Sequence, residues 1–236
     1  MRPGDDLAGL LAAVAPADLS GDDVLVLAHK VVSKAEGRIR DLAGVTPGER
    51  AVGLAEGHAK DPRLVQVVLD ESAELLRAER GVIVSVTRHG FVCANAGVDR
   101  SNVAGEDCVV LLPDDADASA RRLRAGIAAA RGVRPAVLVT DSFGRAWRVG
   151  QTDVAIGAAG LLPLDDWHGR RDAGGGELRA TAIAVADAAA AAADLARAKD
   201  SREPAVLVRG LGRFVSAGDG PGAAALRRPR AEDLFR

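Results

Sequence analysis

The 236-residue sequence is poor in cysteine and in aromatic residues, and it carries almost no net charge. Its two cysteines, Cys93 and Cys108, have no CxxC pattern or histidine at ligand spacing, so we expect small core residues with reduced thiols. The 31 basic and 33 acidic residues give a net charge of −2, which does not favour nucleic-acid binding. No apolar run approaches the roughly 20 residues of a membrane-spanning helix, and the first residues lack a signal-peptide pattern. The expectation is a cytoplasmic protein without a membrane or nucleic-acid partner.

The familiar signatures of nucleotide-binding and hydrolytic enzymes are also missing. The sequence has no GxxxxGK[ST] loop, no GxGxxG after a strand, no HExxH and no GxSxG. His58 and His89 have no ligand partner at a useful spacing and are expected to be structural or surface residues. The chain is therefore not expected to adopt a P-loop or Rossmann fold.

Helical and strand patterns along the chain predict an α/β fold of the mixed α+β type. Helices are expected over 5–15, over 117–131, over the alanine-rich 180–198, and as two consecutive helices over 48–80, the second beginning at Asp61 and Pro62. Strands are expected at VLVLA, at CVVLLP, at PAVLVRG, at RPAVLVTD with Asp141 at its end, and in a hairpin of GVIVSV and FVCANA. We expect one domain over 1–236, divided into two subdomains within about 150–176, with a partly irregular tail from 212.

The chain has 27 arginines but only four lysines, and it contains 47 alanines. This composition indicates the codon bias of a GC-rich genome. The lysines are therefore the more informative cations. Two of them, Lys30 and Lys34, lie in HKVVSKAEGR directly after the predicted strand VLVLA. A lysine there can place a point charge on a phosphate, although an ordinary solvated helix start has the same pattern.

A second polar segment, NAGVDRSNV at 95–103, gathers Asn95, Asp99, Ser101 and Asn102 around Gly97. Oxygen ligands of this kind suit Mg²⁺ or Mn²⁺. Asn and Asp beside Gly are also common turn residues, so a plain turn remains the alternative.

A third polar segment, VTDSFGRAWRVGQTDVAIGAAG at 139–160, follows a predicted buried strand. Asp141 and Ser142 are followed closely by Arg145 and Arg148. A carboxylate and a hydroxyl beside two guanidinium groups could hold a metal and a polyphosphate together, whereas a surface ion-pair cluster would need no ligand.

In chain order these segments resemble the coenzyme F420-0:L-glutamate ligase family, the gamma-glutamyl ligases that add glutamate to a deazaflavin coenzyme. The matching segments cover nearly the whole chain: GDDVLVLAHKVVSKAEGR, NAGVDRSNV, LLPDDADASA, VTDSFGRAWRVGQTDVAIGAAG and PAVLVRGLG. The resemblance implies a two-subdomain gamma-glutamyl ligase-like fold, a homodimer, and small-molecule substrates. The implied reaction is GTP-dependent amide formation between L-glutamate and the lactyl carboxylate of F420-0 through an acyl phosphate.

The resemblance also implies the metal ligands. Asp99 and Asp141 would bind Mg²⁺ or Mn²⁺ together with Ser142, which stands where many members have Thr, and a monovalent cation such as K⁺ is a further implied cofactor. Some members have an acidic metal ligand just before the PAVLVRG strand, where this chain reads ARAKDSRE at 196–203. A second metal site is therefore not implied.

For the nucleotide, the resemblance implies contacts of GTP with His29, Lys30, Lys34 and Asn102, with His29 in place of a small hydroxyl residue. Lys34 would act with Asp99 and Asp141 in catalysis. The position of Arg145 and Arg148 shortly after Asp141, and not the resemblance, predicts that one of them offsets charge on the phosphates.

The segment before GDDLA is shorter than in the family, which normally has a strand and a Gly-Leu-Pro loop there, so we expect weaker GTP binding than in an N-terminally extended chain. The alternative function is a non-catalytic nucleotide- or deazaflavin-binding subunit of the same pathway. Such a subunit would keep Lys34 and Asn102 without turning over GTP, and the retained Asp99 and Asp141 argue against it.

Overall fold

The computed structural model describes residues 1–101, 105, 107–198 and 200–235. Its α-helices are, in chain order, α1 (Leu7–Val14), α2 (His29–Ala35), α3 (Glu49–His58), α4 (Pro62–Asp70), α5 (Ala116–Arg131) and α6 (Val185–Ala196). Its strands are β1 (Val24–Ala28), β2 (Ile39–Asp41), β3 (Ser72–Glu79), β4 (Val82–Thr87), β5 (Val92–Ala94), β6 (Cys108–Val110), β7 (Ala136–Arg145), β8 (Arg148–Ala159), β9 (Leu164–Asp166), β10 (Ala182–Ala184) and β11 (Ala205–Val208). The predicted mixed α+β class, distinct from a P-loop or Rossmann fold, is confirmed.

The chain forms two compact units, each built from three segments. Unit 1 comprises Met1–Asp6, His29–Asp115 and Ser142–Thr152, and unit 2 comprises Leu7–Ala28, Ala116–Asp141 and Asp153–Arg236. The expected division of one domain within about 150–176 stays a prediction; one of the crossings between the units, from Thr152 to Asp153, falls in that stretch.

A mixed four-stranded sheet has the order β11, β1, β7, β8. Unit 2 contains β1, β11, residues 136–141 of β7 and residues 153–159 of β8. β1 runs parallel to β7, from Val24 beside Ala136 to Ala28 beside Thr140, and antiparallel to β11. The continuous apolar runs VLVLA and AVLVT suit strands that are covered on both faces, and the core residues Val26 and Leu138 are fully buried. Alanines of α6 pack into this core, which explains why an alanine-rich helix suffices there.

Unit 1 contains a three-stranded antiparallel sheet in the order β3, β4, β5 and a separate pair of β2 and β6. Its core combines Val65 and Val68 of α4 with Ile83 and Val109. α4 begins as predicted, because the Asp61 carboxylate accepts a hydrogen bond of 2.8 Å from the Arg63 backbone N–H and Pro62 occupies the first turn.

The prediction that helix continues to residue 80 is wrong. β3 pairs with β4 in antiparallel register from Ser72 beside Thr87 to Glu79 beside Val82. The two-residue turn between them consists of Arg80 and Gly81, whose φ values are 52° and 78°. Two consecutive positive φ values are typical of the tight hairpin turn that matches strand twist, so this turn decides the local structure.

Two element boundaries also differ from the sequence predictions. β7 does not end at Asp141 but continues to Arg145, because it turns through Ala146 and Trp147 directly into β8. The helix predicted over 180–198 begins only at Val185, since residues 182–184 pair with β9 as β10. Of the helices in the described parts of the chain, none has both the length and the hydropathy needed to cross a bilayer.

Candidate functional site

Helix α2 of unit 1 has one buried face and one face that carries lysines. His29 is only 1% exposed, and its Nδ1 lies 3.2 Å from the Ser33 hydroxyl one turn further on. Lys30 and Lys34 follow the same four-residue spacing on an adjacent row. The helix is therefore more than a solvated start, and the expected contact of the buried His29 ring with GTP stays a prediction.

The structure brings together the first two polar segments that the sequence singled out. Lys30 Nζ lies 2.6 Å from Asp99 Oδ2 and donates a hydrogen bond of 2.7 Å to the Ser101 hydroxyl. Asp99 Oδ1 accepts a hydrogen bond of 2.6 Å from the Ser101 backbone N–H. HKVVSKAEGR and NAGVDRSNV thus form one cluster in unit 1.

The backbone and the environment of Asp99 fix its charge. Asp99 exchanges two backbone hydrogen bonds, of 3.0 and 2.8 Å, with Val110. Burial raises the pKa of the Asp99 carboxyl, but hydrogen bonds from Lys30 and Ser101 and the charge of Lys30 outweigh it, so the net pKa lies below the usual value. Asp99 is therefore ionised at neutral pH, which a carboxylate ligand of a cation requires.

Lys34 lies one turn after Lys30. Burial and the neighbouring positive charge of Lys30 both lower the pKa of Lys34. Two half-buried ammonium groups on consecutive turns of one helix favour an anion in their neighbourhood.

The segment before Asp99 has an unusual backbone. Asn95, Ala96 and Gly97 have φ values of 51°, 52° and 71°, three left-handed residues in succession. A Cβ on Gly97 would meet the Leu112 side chain at 2.7 to 2.8 Å, so only glycine fits there. Non-glycine residues in this conformation cost on the order of 1 kcal/mol each and concentrate at functional sites.

In the sequence Lys60 lies at the end of a helical pattern with no candidate motif nearby, but the structure brings it to one of them. The Lys60 ammonium donates a hydrogen bond of 3.1 Å to Asn95 Oδ1 in the loop that leads to Asp99. Asn102, the predicted nucleotide contact of the same loop, lies outside the described residues.

Next to Asp141, unit 2 contains a buried polar network that sequence reasoning missed. The Thr140 hydroxyl donates to Asp153 at 2.7 Å, and the Arg197 guanidinium bonds the same Asp153 carboxylate and lies 3.2 Å from the Thr140 hydroxyl. Thr140 and Asp153 are 1% and 4% exposed. Both residues lie within the segment noted in the sequence, and Arg197 lies in the ARAKDSRE stretch, but no spacing rule joins the three.

The remaining predicted residues of the third segment lie on β7 and β8. Asp141 ends its segment of unit 2 and Ser142 begins the following segment of unit 1, both half-buried. The guanidinium of the exposed Arg145 donates a hydrogen bond of 3.0 Å to the Val149 backbone carbonyl across the hairpin. Arg148 is also exposed. A contact of either arginine with a phosphate stays a prediction.

The donor types of Asp99, Asp141 and Ser142 fit the implied metal. Two carboxylates and a hydroxyl are hard oxygen donors, the kind that Mg²⁺ and Mn²⁺ take. Across the described ranges, no three His, Cys, Asp or Glu side chains form a metal-binding group. Because Lys30 forms a salt bridge with the Asp99 carboxylate, a metal ion would have to compete with the Lys30 ammonium for that carboxylate.

Comparison with known proteins assigns the family. Residues 1–210 match the family described as F420-0:Gamma-glutamyl ligase. Proteins named coenzyme F420:L-glutamate ligase from Methanothermobacter thermautotrophicus and Methanopyrus kandleri are 44% and 45% identical to the chain, over 99% and 100% of it and 93% of each relative. The protein of that name from Haloarcula marismortui is 45% identical to the chain, over 100% of the chain and 91% of the relative's length. The protein is an enzyme of the ligase class. It belongs to the F420-0:gamma-glutamyl ligase family, as its motifs predicted.

Proposed function

We propose that this ligase joins L-glutamate to F420-0 by an amide bond in coenzyme F420 biosynthesis, with GTP as the phosphoryl donor. The observation that carries the proposal is the likeness to coenzyme F420:L-glutamate ligases along nearly the full length of both chains. The cluster of Lys30, Lys34 and the ionised Asp99 supports it, because it has the charges that phosphoryl transfer requires.

A carboxylate does not react with an amine at neutral pH, because oxide is a very poor leaving group. In the proposed reaction the lactyl carboxylate oxygen bonds to the γ-phosphorus of GTP, the bond to the bridging oxygen breaks, and GDP leaves. The glutamate amine then attacks the acyl carbon, phosphate departs with the bonding electrons, and the amine loses a proton. The protein mainly positions the reactants and neutralises charge in such a transfer.

The residues of this chain divide these tasks in the proposal. Lys30 and Lys34 bring compact positive charge to the phosphate oxygens, with Arg145 or Arg148 as further cations. Asp99, Asp141 and Ser142 hold Mg²⁺ or Mn²⁺, which supplies additional positive charge at the phosphates when bound. A K⁺ ion, the Asn102 and His29 contacts with GTP, and a homodimer complete the proposal.

The test combines the purified protein with F420-0, L-glutamate, GTP and Mn²⁺, and follows products by mass spectrometry. We expect F420-0 carrying glutamate, with GDP and phosphate formed in equal amounts, and no product when GTP is omitted. Hydroxylamine should trap the acyl phosphate as a hydroxamate when glutamate is absent. Product without nucleotide would overturn the GTP role, and GTP binding without any product would support the non-catalytic alternative.

A further inference from the structure

Lys60 lies in unit 1 between two helices and is only half-exposed. It follows Ala59, the residue with left-handed backbone conformation that caps the C-terminus of α3. The Lys60 backbone N–H donates a hydrogen bond of 3.0 Å to the Ala55 carbonyl. Its ammonium donates a hydrogen bond of 3.1 Å to the side-chain Oδ1 of Asn95. Burial lowers the pKa of Lys60, as expected for an ammonium removed from water.

Within the parts of the chain that the structure describes, Lys60 has no carboxylate partner. The adjacent carboxylate of Asp61 is bound by Arg63, whose NH2 lies 2.7 Å from Asp61 Oδ2 and 3.1 Å from Asp107 Oδ1. Lys30, by contrast, has the Asp99 carboxylate at 2.6 Å. Among the described residues, the acceptor of the half-buried Lys60 ammonium is a neutral amide, which does not compensate its charge.

Asn95 is held at this position by its backbone. It is the first of the three consecutive residues with positive φ, and asparagine tolerates that conformation better than most residues. Its side-chain oxygen accepts from Lys60, which leaves the amide NH₂ as a second donor beside the ammonium. An ammonium and an amide NH₂ side by side match the oxygens of a carboxylate or a phosphate.

The composition points to the same loop. Only four of the 31 basic residues are lysines, yet both Lys30 and Lys60 donate to residues of the stretch 95–101. Because most basic residues of this chain are arginines, a lysine at this loop indicates that the position requires a compact ammonium and not a planar guanidinium.

We propose that Lys60 and Asn95 form an anion-binding subsite of unit 1 that takes a carboxylate or phosphate oxygen of a substrate. The inference rests on the proposed function for the identity of the substrates, since GTP, L-glutamate and F420-0 all carry such oxygens. Lys60 follows α3, whereas Lys30 and Lys34 lie on α2.

The test is calorimetric titration of the full chain with GDP, L-glutamate and F420-0 separately, all in the presence of Mg²⁺. Lys60→Met removes the charge of Lys60 and keeps a side chain of similar length. Asn95→Asp places a carboxylate next to the Lys60 ammonium, so that its charge is compensated within the protein. We expect each variant to lose about tenfold or more in affinity for at least one of the three ligands while at least one other is bound as before. Lys60→Arg should bind the affected ligand more tightly than Lys60→Met, since it keeps the charge.

Arg50→Met is the matched control, because it removes one cation from the exposed surface of α3. It should change each affinity less than twofold. Unchanged affinities in both subsite variants would overturn the proposal. So would loss of all three ligands together with a lower Tm in Lys60→Met, because that pattern marks a purely structural Lys60–Asn95 bond.

The subsite can be tested even if the proposed function fails. If the wild-type chain binds none of the three ligands, thermal melts with inorganic phosphate replace the titrations. A rise in Tm with phosphate for the wild type that is lost in Lys60→Met supports the subsite. An equal rise in both proteins, or no rise in either, overturns it.

Discussion

The ammonium of Lys30 lies 2.6 Å from the carboxylate of Asp99 and joins the first turn of α2 to the loop after β5. Their side chains are 23% and 35% exposed, so the pair contributes at most about 1 kcal/mol to stability. The pair brings together a cation and an anion to which the proposed reaction gives separate roles.

Asp99→Asn is expected to reduce ligation by about 100-fold or more while the fold persists, because it removes a charged metal ligand but only a weak ion pair. Asp141→Asn should act in the same way. Activity with Mn²⁺ and circular dichroism measure the two effects, and exposed Glu79→Gln serves as a control for loss of one charge in unit 1. Near-normal turnover in either aspartate variant would contradict the metal assignment.

Lys34→Ala is expected to weaken GTP affinity about tenfold or more, because it removes a half-buried cation next to Lys30. The comparison should be Arg50→Ala, since Lys60 contacts the site loop and is not a neutral reference. Fluorescent nucleotide titration gives both affinities. Equal losses in Lys34→Ala and Arg50→Ala would indicate that α2 has no special role in binding.

Arg197→Met should destabilise the protein by about 3 to 5 kcal/mol, because it leaves the buried Asp153 carboxylate without its cation. Adding Asp153→Asn to this variant should restore part of the stability, since it removes the buried carboxylate that Arg197→Met leaves unpaired. Urea denaturation followed by circular dichroism at pH 7 measures each variant. A loss below about 1 kcal/mol in the single variant would argue against a coupled network.

Asp219→Asn tests how the pH affects stability. A hydrogen bond from buried Arg124 outweighs the opposing effect of burial and, with the charge of Arg134, lowers the pKa of Asp219 below 3.8. A carboxyl whose pKa is depressed by folding stabilises the fold above its unfolded pKa and loses that effect as the pH falls through its folded pKa.

The Asp219→Asn variant should therefore be less stable than the wild type at pH 7, and the difference should shrink as the pH falls below about 4. Thermal melts at a series of pH values check this. A gap that stays constant from pH 7 to pH 3 would mean that the Arg124–Asp219 pair is not its source.

Local sequence patterns predicted the elements whose structure is decided locally. The Asp61 cap, the apolar strand VLVLA and the hairpin of β4 and β5 were all predicted, because caps, apolar runs and turn residues act over a few positions. β3 was misread as helix because its charged and apolar residues also fit a helical period, and the pairing with β4 decided the outcome.

The candidate site shows the same division. Lys30, Lys34, Asp99 and Asp141 became candidates because each lies in a segment that the sequence pattern singles out. Lys60 was missed because its partner Asn95 lies 35 positions away, and no periodicity joins residues at that separation. The Thr140–Asp153–Arg197 network was missed for the same reason, since Arg197 reaches across 44 positions to Asp153.

Because each unit is assembled from three segments, the chain passes between them five times, and β7 begins in one unit and ends in the other. No single cut in the gene releases either unit as an uninterrupted reading frame. A continuous piece of coding sequence that includes both the Lys30–Asp99 cluster and Asp141 therefore necessarily carries residues of both units. An exchange of one continuous piece cannot replace one whole unit and leave the other unchanged.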